Sequence, residues 1–236
     1  ALPPFSGVHN DGPNDAVVLA PLLGQPYGLV ISHGMNPILM RIDPYNGALW
    51  AITEALANLV AVGGNPAKAA LINNYIWPFP DAHCLHALDA TVEAVCMGMK
   101  MFQIPVISGK DSLSSTYRFP DGTVLEIPPV LCMSAFGRIP NVRKTISADF
   151  KRVGSQLVFL GKQDIYSSLF PGVPAMDGSV YQSIQPNAPQ FSQHEYFSGR
   201  IPMVDRNRLL GNMFKQLHSQ ILLGNVLACH DISQGG

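Results

Sequence analysis

The part of the sequence that most constrains the fold is a long, almost uncharged stretch at residues 41–65, RIDPYNGALWAITEALANLVAVGGN. Residues 48–62 are apolar enough to form a buried helix, and the glycine pair that follows, with a proline just beyond, is typical of a helix end. Glu54 and Asn58 are four residues apart and therefore share one helix face. A carboxylate in an apolar setting needs a partner, because removing an ion from water is costly. A metal ion, a cationic side chain, or water along an exposed polar stripe could be that partner.

The composition is that of a globular chain with a core of ordinary size or better. Of its 236 residues, 47% are hydrophobic and only 13% are charged. The net charge of -1 gives no electrostatic basis for binding nucleic acid or an anionic membrane. No apolar run is clean enough to span a bilayer, and we expect no secretory signal. Four cysteines without a CxxC pair predict reduced thiols, no zinc site and a cytoplasmic location.

Strand and helix patterns alternate over the first 140 residues. The sequence predicts helices over residues 48–62 and from the N-cap Asp81 to about residue 101. The predicted strands cover residues 16–19, 28–32, 67–73, 104–107, 123–127 and 130–136. The remaining predictions are a loop over residues 1–15, an extended link over 35–44 and a polar loop over 109–115.

The composition changes after residue 140. Residues 140–153 are polar and basic and are expected to connect two units. The second unit is predicted to begin at residues 157–160. It should contain a long loop over 164–198, an amphipathic helix over 205–217 and a strand over 226–229. The sequence stops at Gly235-Gly236, a pair that normally opens into a helix, so we expect a truncated piece of a longer protein.

Four polar clusters fall at predicted edges of strands or helices, where α/β proteins bind ligands. They are Asn14-Asp15, the pair Glu54 and Asn58, the SGKDSLS motif at 108–114 and the HDISQGG motif at 230–236. Taken separately, each has a plain structural explanation. Taken together, four of their side chains supply the oxygen ligands that magnesium prefers: Asp15, Glu54, Asn58 and Asp231. Spacing alone does not show that these four converge.

The SGKDS motif follows a predicted buried strand and contains Gly109, Lys110 and Ser112. Glycine lets a phosphate approach the backbone, lysine supplies positive charge and serine can donate a hydrogen bond. The motif is not a P-loop, which needs GxxxxGK followed by Ser or Thr. A turn with a solvated lysine is the alternative interpretation.

The HDIS motif follows the last predicted strand. Strand alternation places Asp231 and Ser233 on one face, with His230 and Ile232 on the other. A shared face would let Asp231 and Ser233 act on one ligand. Alternatively, either residue could simply cap a following helix.

Three motifs in this order resemble the phosphoribosylformylglycinamidine synthase family of purine biosynthesis: DPYNGALWAITEALANLVAVGG, IPVISGKDSLS and HDISQGG. The last is similar to the family's His-Asp-x-Ser-Asp-Gly-Gly, with Gln234 in place of the second aspartate. The resemblance is to the second of two repeated halves, each built like aminoimidazole ribonucleotide synthetase. It extends over most of the chain.

The resemblance implies an α/β (α+β) fold in two parts. Residues 1–140 should form the synthetase-like N-terminal domain, whose strands pair with a sister domain to close a barrel. Residues 141–154 should be a connector, and residues 155–236 part of the C-terminal α+β domain. The implied partners are the other synthetase-like half and a glutaminase domain or subunit. A second copy of the chain could close the barrel in a homodimer.

The activity implied by the resemblance is that of a ligase that forms a carbon–nitrogen bond. ATP phosphorylates an amide oxygen of formylglycinamide ribonucleotide, and ammonia released from glutamine then displaces phosphate to give the amidine. An amide oxygen is a poor leaving group and phosphate a good one, while Mg²⁺ offsets charge on the triphosphate. The isolated piece should be inactive. Neither nucleic acid nor a membrane is expected as a partner.

The resemblance also assigns roles to individual residues. The positions that match magnesium ligands of the second-half nucleotide site are Asp15, Glu54, Asn58 and Asp231. The positions that match nucleotide contacts are Asn14, Gly109, Lys110 and Ser233, and Ser112 matches a substrate contact. The short form of the enzyme has asparagine where Lys110 stands, and it has an aspartate near Asn73 and Asn74 that is absent here. The family's catalytic histidine belongs to the other half, so no catalytic residue is predicted.

Two other interpretations remain open. In the first, this half is non-catalytic, and ATP or ADP is bound as a structural component that is not turned over. In the second, the chain is a different ATP-dependent member of the superfamily, of the aminoimidazole ribonucleotide synthetase, selenophosphate synthetase or thiamine-phosphate kinase type. The fit of SGKDSLS favours the amidine synthase.

Overall fold

A five-stranded sheet backed by helices organises the structure, a computed structural model that describes residues 2–7, 9–161, 179–180, 184 and 209–233. The strands are β1 (Phe5–Ser6), β2 (Gly12–Pro13), β3 (Val17–Leu19), β4 (Gly28–Gly34), β5 (Ala70–Ile76), β6 (Val106–Ser112), β7 (Thr116–Arg118), β8 (Val124–Glu126) and β9 (Val130–Ile139). The helices are α1 (Pro37–Ile42), α2 (Pro44–Ala61), α3 (Ala82–Phe102) and α4 (Leu209–Leu223). This mixture confirms the predicted α/β class.

The order of strands in the main sheet is β3-β4-β9-β5-β6. Strands β5 and β6 are parallel, and the other neighbours are antiparallel. Two small antiparallel pairs, β1 with β2 and β7 with β8, lie outside this sheet. The β1–β2 pair occupies part of the segment predicted to be a loop over residues 1–15.

Helix α2 covers one face of the sheet and is the most buried element. Leu49, Ile52 and Leu56 are completely buried along it. The predicted helix over residues 48–62 is confirmed, but it begins earlier, at Pro44. Asp43 caps it by accepting from the Asn46 N–H at 3.0 Å, and a proline fits the first turn because that position needs no N–H.

The extended link predicted for residues 35–44 is wrong. Residues Pro37–Ile42 form α1, capped by Asn36, whose side chain accepts from the N–H groups of Ile38 and Leu39 at 3.0 Å each. The capping residue followed by proline occurs twice, at 36–37 and at 43–44, and each pair begins a helix. That repeated signal was present in the sequence.

The polar loop predicted for residues 109–115 is also wrong in its first part. The strand predicted over 104–107 instead runs as β6 from Val106 to Ser112, paired along its length with β5. Because β6 is an edge strand with mostly exposed side chains, its sequence lacks the apolar alternation that marks a half-buried strand. Helix α3 follows its prediction, with the Cys84 N–H donating to the N-cap Asp81 at 2.7 Å.

The strand predicted over residues 226–229 is absent, since residues 225–233 form neither strand nor helix. The preceding helix is confirmed as α4, although residues 205–208 of its predicted span lie outside the described part. The long loop predicted for 164–198 also falls mostly outside it. Helix α4 packs on the ends of α2 and α3. Phe214 stacks on Phe102, the last residue of α3, with ring centroids 5.9 Å apart, and His218 Nδ1 lies 3.2 Å from the carbonyl oxygen of Gly63, which follows α2.

In the part of the chain that the structure describes, every helix is too short or too polar to cross a bilayer.

Candidate functional site

The most distant pair of predicted ligands meets directly. Asp15, just before β3, accepts from the Asp231 N–H at 3.1 Å, a contact between residues 216 positions apart. The same oxygen, Asp15 Oδ1, lies 2.7 Å from His230 Nδ1. Ligand atoms of Asp15, His230 and Asp231 all lie within 4.8 Å of one another. The two carboxyl side chains are 1% and 7% exposed, whereas the His230 side chain is 62% exposed.

Glu54 approaches this cluster from the middle of α2. Its Oε2 accepts from the Met35 N–H at 2.8 Å, which fixes the carboxylate at the end of β4. The charge of Asp231 acts on it, so both carboxyl groups belong to one electrostatic site. The sequence suggested a metal ion, a cationic side chain or water as the partner of the Glu54 carboxylate. The structure shows that one partner is a backbone N–H.

A glycine makes this approach possible. A Cβ on Gly34 would lie 2.2 Å from the Ala51 carbonyl oxygen and 2.7 Å from the Ala55 nitrogen, both backbone atoms of α2. Only glycine therefore allows the helix to cross so close to the end of β4. This close crossing places Glu54 beside Met35.

Asn58 lies one turn further along α2 and is also tied to β4. Its Nδ2 donates to the His33 carbonyl at 3.0 Å. Its Oδ1 is buried and has no hydrogen-bond partner among the residues described. Glu54 and Asn58 therefore share a face, as predicted, and that face meets the chain at residues 33–35.

The electrostatics of the cluster show an excess of negative charge. Burial raises the pKa of Glu54 to about 8; the Met35 hydrogen bond opposes this, and the Asp231 charge adds to it. Burial and the neighbouring Asp15 raise the pKa of Asp231 to about 7, while His230 and Ser233 act in the opposite direction. A bound cation would favour the ionised forms of both groups, because an opposite charge nearby lowers the pKa of a carboxyl group.

A cavity of about 340 Å³ opens beside Glu54 and Asp231, the two carboxyl groups whose pKa is raised. The rest of its wall comes from α2, from residues 158–160, from α4 and from residues 229–232. Cys229 also lines it, and burial raises the pKa of this thiol to about 11, so it stays protonated near neutral pH. The cavity can therefore admit a ligand next to the carboxylates without offering a thiolate nucleophile.

The donor set fits a hard divalent cation. Asp15 Oδ2 is buried without a hydrogen-bond partner within the described residues, as is Asn58 Oδ1. Buried polar atoms are almost always paired, so such atoms indicate a missing partner. Carboxylate and amide oxygens are the ligands of magnesium and calcium, and a cation would neutralise the crowded acids.

The two predicted nucleotide contacts nearest the cluster have defined roles. Asn14 holds the segment before β3: its Oδ1 accepts from Ser6 Oγ at 2.9 Å and its Nδ2 donates to the Pro3 carbonyl at 2.9 Å. The Ser233 side chain hydrogen-bonds to Asp231. Asn14 thus positions its neighbour Asp15, and Ser233 supports Asp231.

The SGKDS residues lie elsewhere. Gly109, Lys110 and Ser112 are on β6, at the opposite edge of the sheet from β3. Lys110 Nζ donates to Ser112 Oγ, and Gly109 pairs with Asn73 on β5. The structure therefore does not bring these three residues to the Asp15 cluster.

Sequence reasoning missed the part played by His230. Alternation along a predicted strand placed it opposite Asp231, but without a strand at 225–233 both residues reach Asp15. The available signal was adjacency to Asp231 in HDIS. The carboxylate partner of His230 lies more than 200 residues away, so spacing could not reveal it.

Several curated proteins similar to this chain are named phosphoribosylformylglycinamidine synthase. PurL, the phosphoribosylformylglycinamidine synthase subunit of Thermoplasma volcanium, is 27% identical over 238 residues, covering 99% of this chain and 27% of the relative. The same subunit from Prochlorococcus marinus is 28% identical over 216 residues, covering 89% of this chain and 25% of the relative. The chain spans about a quarter of the length of these relatives.

Among solved structures, PurL from Thermotoga maritima complexed with ADP matches with a TM-score of 0.48 and 26% identity. The match covers 56% of this chain and 21% of that one.

The family match itself lies in the first part of the chain. Residues 13–139, more than half of the sequence, match the family described as "AIR synthase related protein, N-terminal domain". This segment holds all five strands of the main sheet together with α1, α2 and α3. By this match, the chain belongs to the AIR synthase related family and carries its N-terminal domain.

Proposed function

We propose that the chain is part of a phosphoribosylformylglycinamidine synthase and that its carboxylate cluster binds a magnesium–nucleotide complex. Its family, the names of its relatives and the three sequence motifs support this proposal. The observation that carries it is the contact between Asp15 and Asp231, which are 216 positions apart. Beside this contact, Asp15 Oδ2 is buried and has no partner among the described residues.

The proposed cation ligands are Asp15, Glu54, Asn58 and Asp231. Magnesium bound there would offset the charge of nucleotide phosphates. Asn14 and Ser233, which adjoin two of the ligands, are the proposed nucleotide contacts beside the cation. Each already holds a ligand or the segment next to it, which suits a supporting role.

The SGKDS residues are proposed to act at the edge of the sheet opposite β3. Gly109 and Lys110 would contact phosphate groups, and Ser112 the substrate. Gly109 and Lys110 are exposed on this edge strand, and Ser112 is half-buried at its end. They would act separately from Asp15, since β4, β9 and β5 lie between β3 and β6.

The proposed reaction is the ATP- and glutamine-dependent conversion of formylglycinamide ribonucleotide to the amidine. The glycinamide carbonyl oxygen takes the γ-phosphoryl group of ATP, ammonia adds at the carbon that bears it, and the C–O bond breaks to release phosphate. The chain would work in the cytoplasm with another synthetase-like half and a glutaminase, or pair with itself. We propose the division into residues 1–140, 141–154 and 155–236 for its domains.

Isothermal titration of Mg²⁺ and ADP into the natural protein that contains this sequence tests nucleotide binding. Glu54→Gln removes the charge but keeps an oxygen that can accept from Met35. We expect it to weaken Mg²⁺-dependent ADP binding by more than tenfold. Glu93→Gln, an exposed position on α3, is the control and should leave affinity unchanged. Equal affinities for Glu54→Gln and wild type would count against the site.

Turnover separates the proposal from its structural alternative. Release of ADP is measured with formylglycinamide ribonucleotide and glutamine once the other parts of the enzyme are supplied. ADP release that needs both substrates supports the ligase activity. A nucleotide held tightly at this site through many catalytic cycles would show that it is structural.

A further inference from the structure

His230 stands closest to the proposed cation site without belonging to its predicted ligands. We propose that it is a positioning residue: it occupies one oxygen of Asp15, leaves the other free for the cation, and does not bind the cation itself. This inference rests on the proposed cation site and assigns a further residue to it.

Asp15 Oδ1 is already saturated in the structure. It accepts from the Asp231 N–H at 3.1 Å and lies 2.7 Å from His230 Nδ1. Asp15 Oδ2 is buried and has no partner within the described residues. The two oxygens therefore differ: one is fixed by two contacts from the HDIS segment, and the other is available to a ligand.

The same contact argues against His230 as a ligand. An ionised carboxylate can only accept, so the hydrogen of this bond sits on His230 Nδ1, which then has no lone pair for a cation. The lone pair that remains, on Nε2, lies on the other side of the ring and points away from Asp15. The side chain is 62% exposed, whereas those of Asp15 and Asp231 are almost fully buried. His230 thus lies at the rim of the cluster.

The arrangement matches a general feature of metal sites. Carboxylates that bind metals are commonly held by hydrogen bonds from outer residues, and loss of such a bond typically weakens metal affinity by about 10- to 100-fold. Hard cations such as Mg²⁺ and Mn²⁺ also prefer oxygen to imidazole nitrogen. His230 therefore tightens cation binding by holding Asp15 in one orientation.

The test uses Mn²⁺ alone as the probe, added to the natural protein that contains this sequence. The variants are His230→Ala, which removes the donor, and His230→Asn, whose side-chain NH₂ can occupy the place of Nδ1–H. We expect Ala to weaken Mn²⁺ binding by about 10- to 100-fold and Asn to restore it to within about threefold of wild type. Thermal unfolding without metal should be the same for all three proteins, because the ring is mostly exposed.

Pulsed electron paramagnetic resonance of bound Mn²⁺ provides a second readout. The wild type should show no coupling to an imidazole nitrogen. Such a coupling that disappears in His230→Ala would make His230 a ligand and overturn the inference. Wild-type affinity in His230→Ala, or an Asn variant as weak as Ala, would also overturn it. A wild type that binds no Mn²⁺ would refute the cation site, and with it the inference, and this result is distinct from equal affinities.

Discussion

Two polar motifs at opposite edges of one sheet show what distinguishes a ligand site from a polar surface. Near β3, Asp15 meets the HDIS segment, and its side chain is 1% exposed. On β6, the Lys110 side chain is exposed and donates to Ser112, two residues away. The strands that carry or adjoin these motifs are four interstrand spacings apart, roughly 19 Å. The sequence predicts magnesium ligands in the first motif and phosphate contacts in the second, and among the described residues of the two motifs the buried oxygen without a partner is Asp15 Oδ2.

Replacing a glycine at each edge should give the largest difference in the free energy of unfolding. Gly34→Ala would drive a Cβ into the backbone of α2, whereas Gly109→Ala would meet the Asn73 side-chain oxygen, which can rotate away. We expect Gly34→Ala to lower the free energy of unfolding by about 3 kcal/mol and Gly109→Ala to change it by less than about 1 kcal/mol. Urea denaturation measures both. Similar losses would mean that α2 does not need its close crossing over β4.

The negative charge of Asp15 should have the next largest effect, on Mg²⁺ affinity. Asp15→Asn keeps the shape of the side chain but halves the negative charge shared with Asp231. We expect Mg²⁺ affinity to fall by at least about tenfold, as for other residues that hold a metal. Asp89→Asn, exposed on α3, is the matched control and should behave like wild type. Titration calorimetry with Mg²⁺ compares the three proteins, and an Asp15→Asn protein with wild-type affinity would remove the contrast between the edges.

His218 provides a buried polar group that already has a partner, in contrast to Asp15. Burial lowers its pKa, and the hydrogen bonds to the Gly63 and Gly64 backbone oppose this. The folded state therefore binds fewer protons than the unfolded state, whose histidine titrates near 6.5, and stability falls as pH drops through that range. In His218→Gln this part of the acid sensitivity should disappear, while His86→Gln, exposed on α3, should keep it. Urea unfolding between pH 5 and 8 measures the slopes, and equal slopes for His218→Gln and wild type would contradict the assignment.

Lys110 should have the smallest effect on the cation. Lys110 lies on a strand roughly 19 Å from β3, beyond the Debye length of about 10 Å in 0.1 M salt, so its charge is largely screened at Asp15. We expect Lys110→Ala to change Mg²⁺ affinity, measured without nucleotide, by less than twofold, like Lys100→Ala on α3. A larger change for Lys110→Ala would show that the two edges act on one ligand.

Local signals predicted much of the fold. The apolar run and glycine pair indicated α2, and Asp81 indicated the start of α3. The errors arose where the signal was not periodic. Helix α1 is short and is marked by an Asn-Pro pair rather than by apolar periodicity, and β6 gains its strand conformation from pairing with β5 although its side chains are exposed.

The site was less accessible to sequence reasoning. The shared face of Glu54 and Asn58 followed from helical spacing, because residues four apart adjoin. The contact between Asp15 and Asp231 depends on how the chain returns after 216 positions, and no spacing rule contains that information. The family resemblance predicts that Asp15 and Asp231 are ligands of one site. The contact of His230 with Asp15 could be found only from the structure. The backbone partner of Glu54 required them too, since Met35 has no side-chain signal.

Anomalous diffraction from crystals of the natural protein grown with Mn²⁺ and ADP tests the central claim directly. The cluster predicts one Mn²⁺ peak within about 2.5 Å of Asp15 Oδ2 and of carboxylate oxygens from Glu54 and Asp231. No peak at these oxygens, or Mn²⁺ bound only at the far edge of the sheet near Lys110, would contradict it.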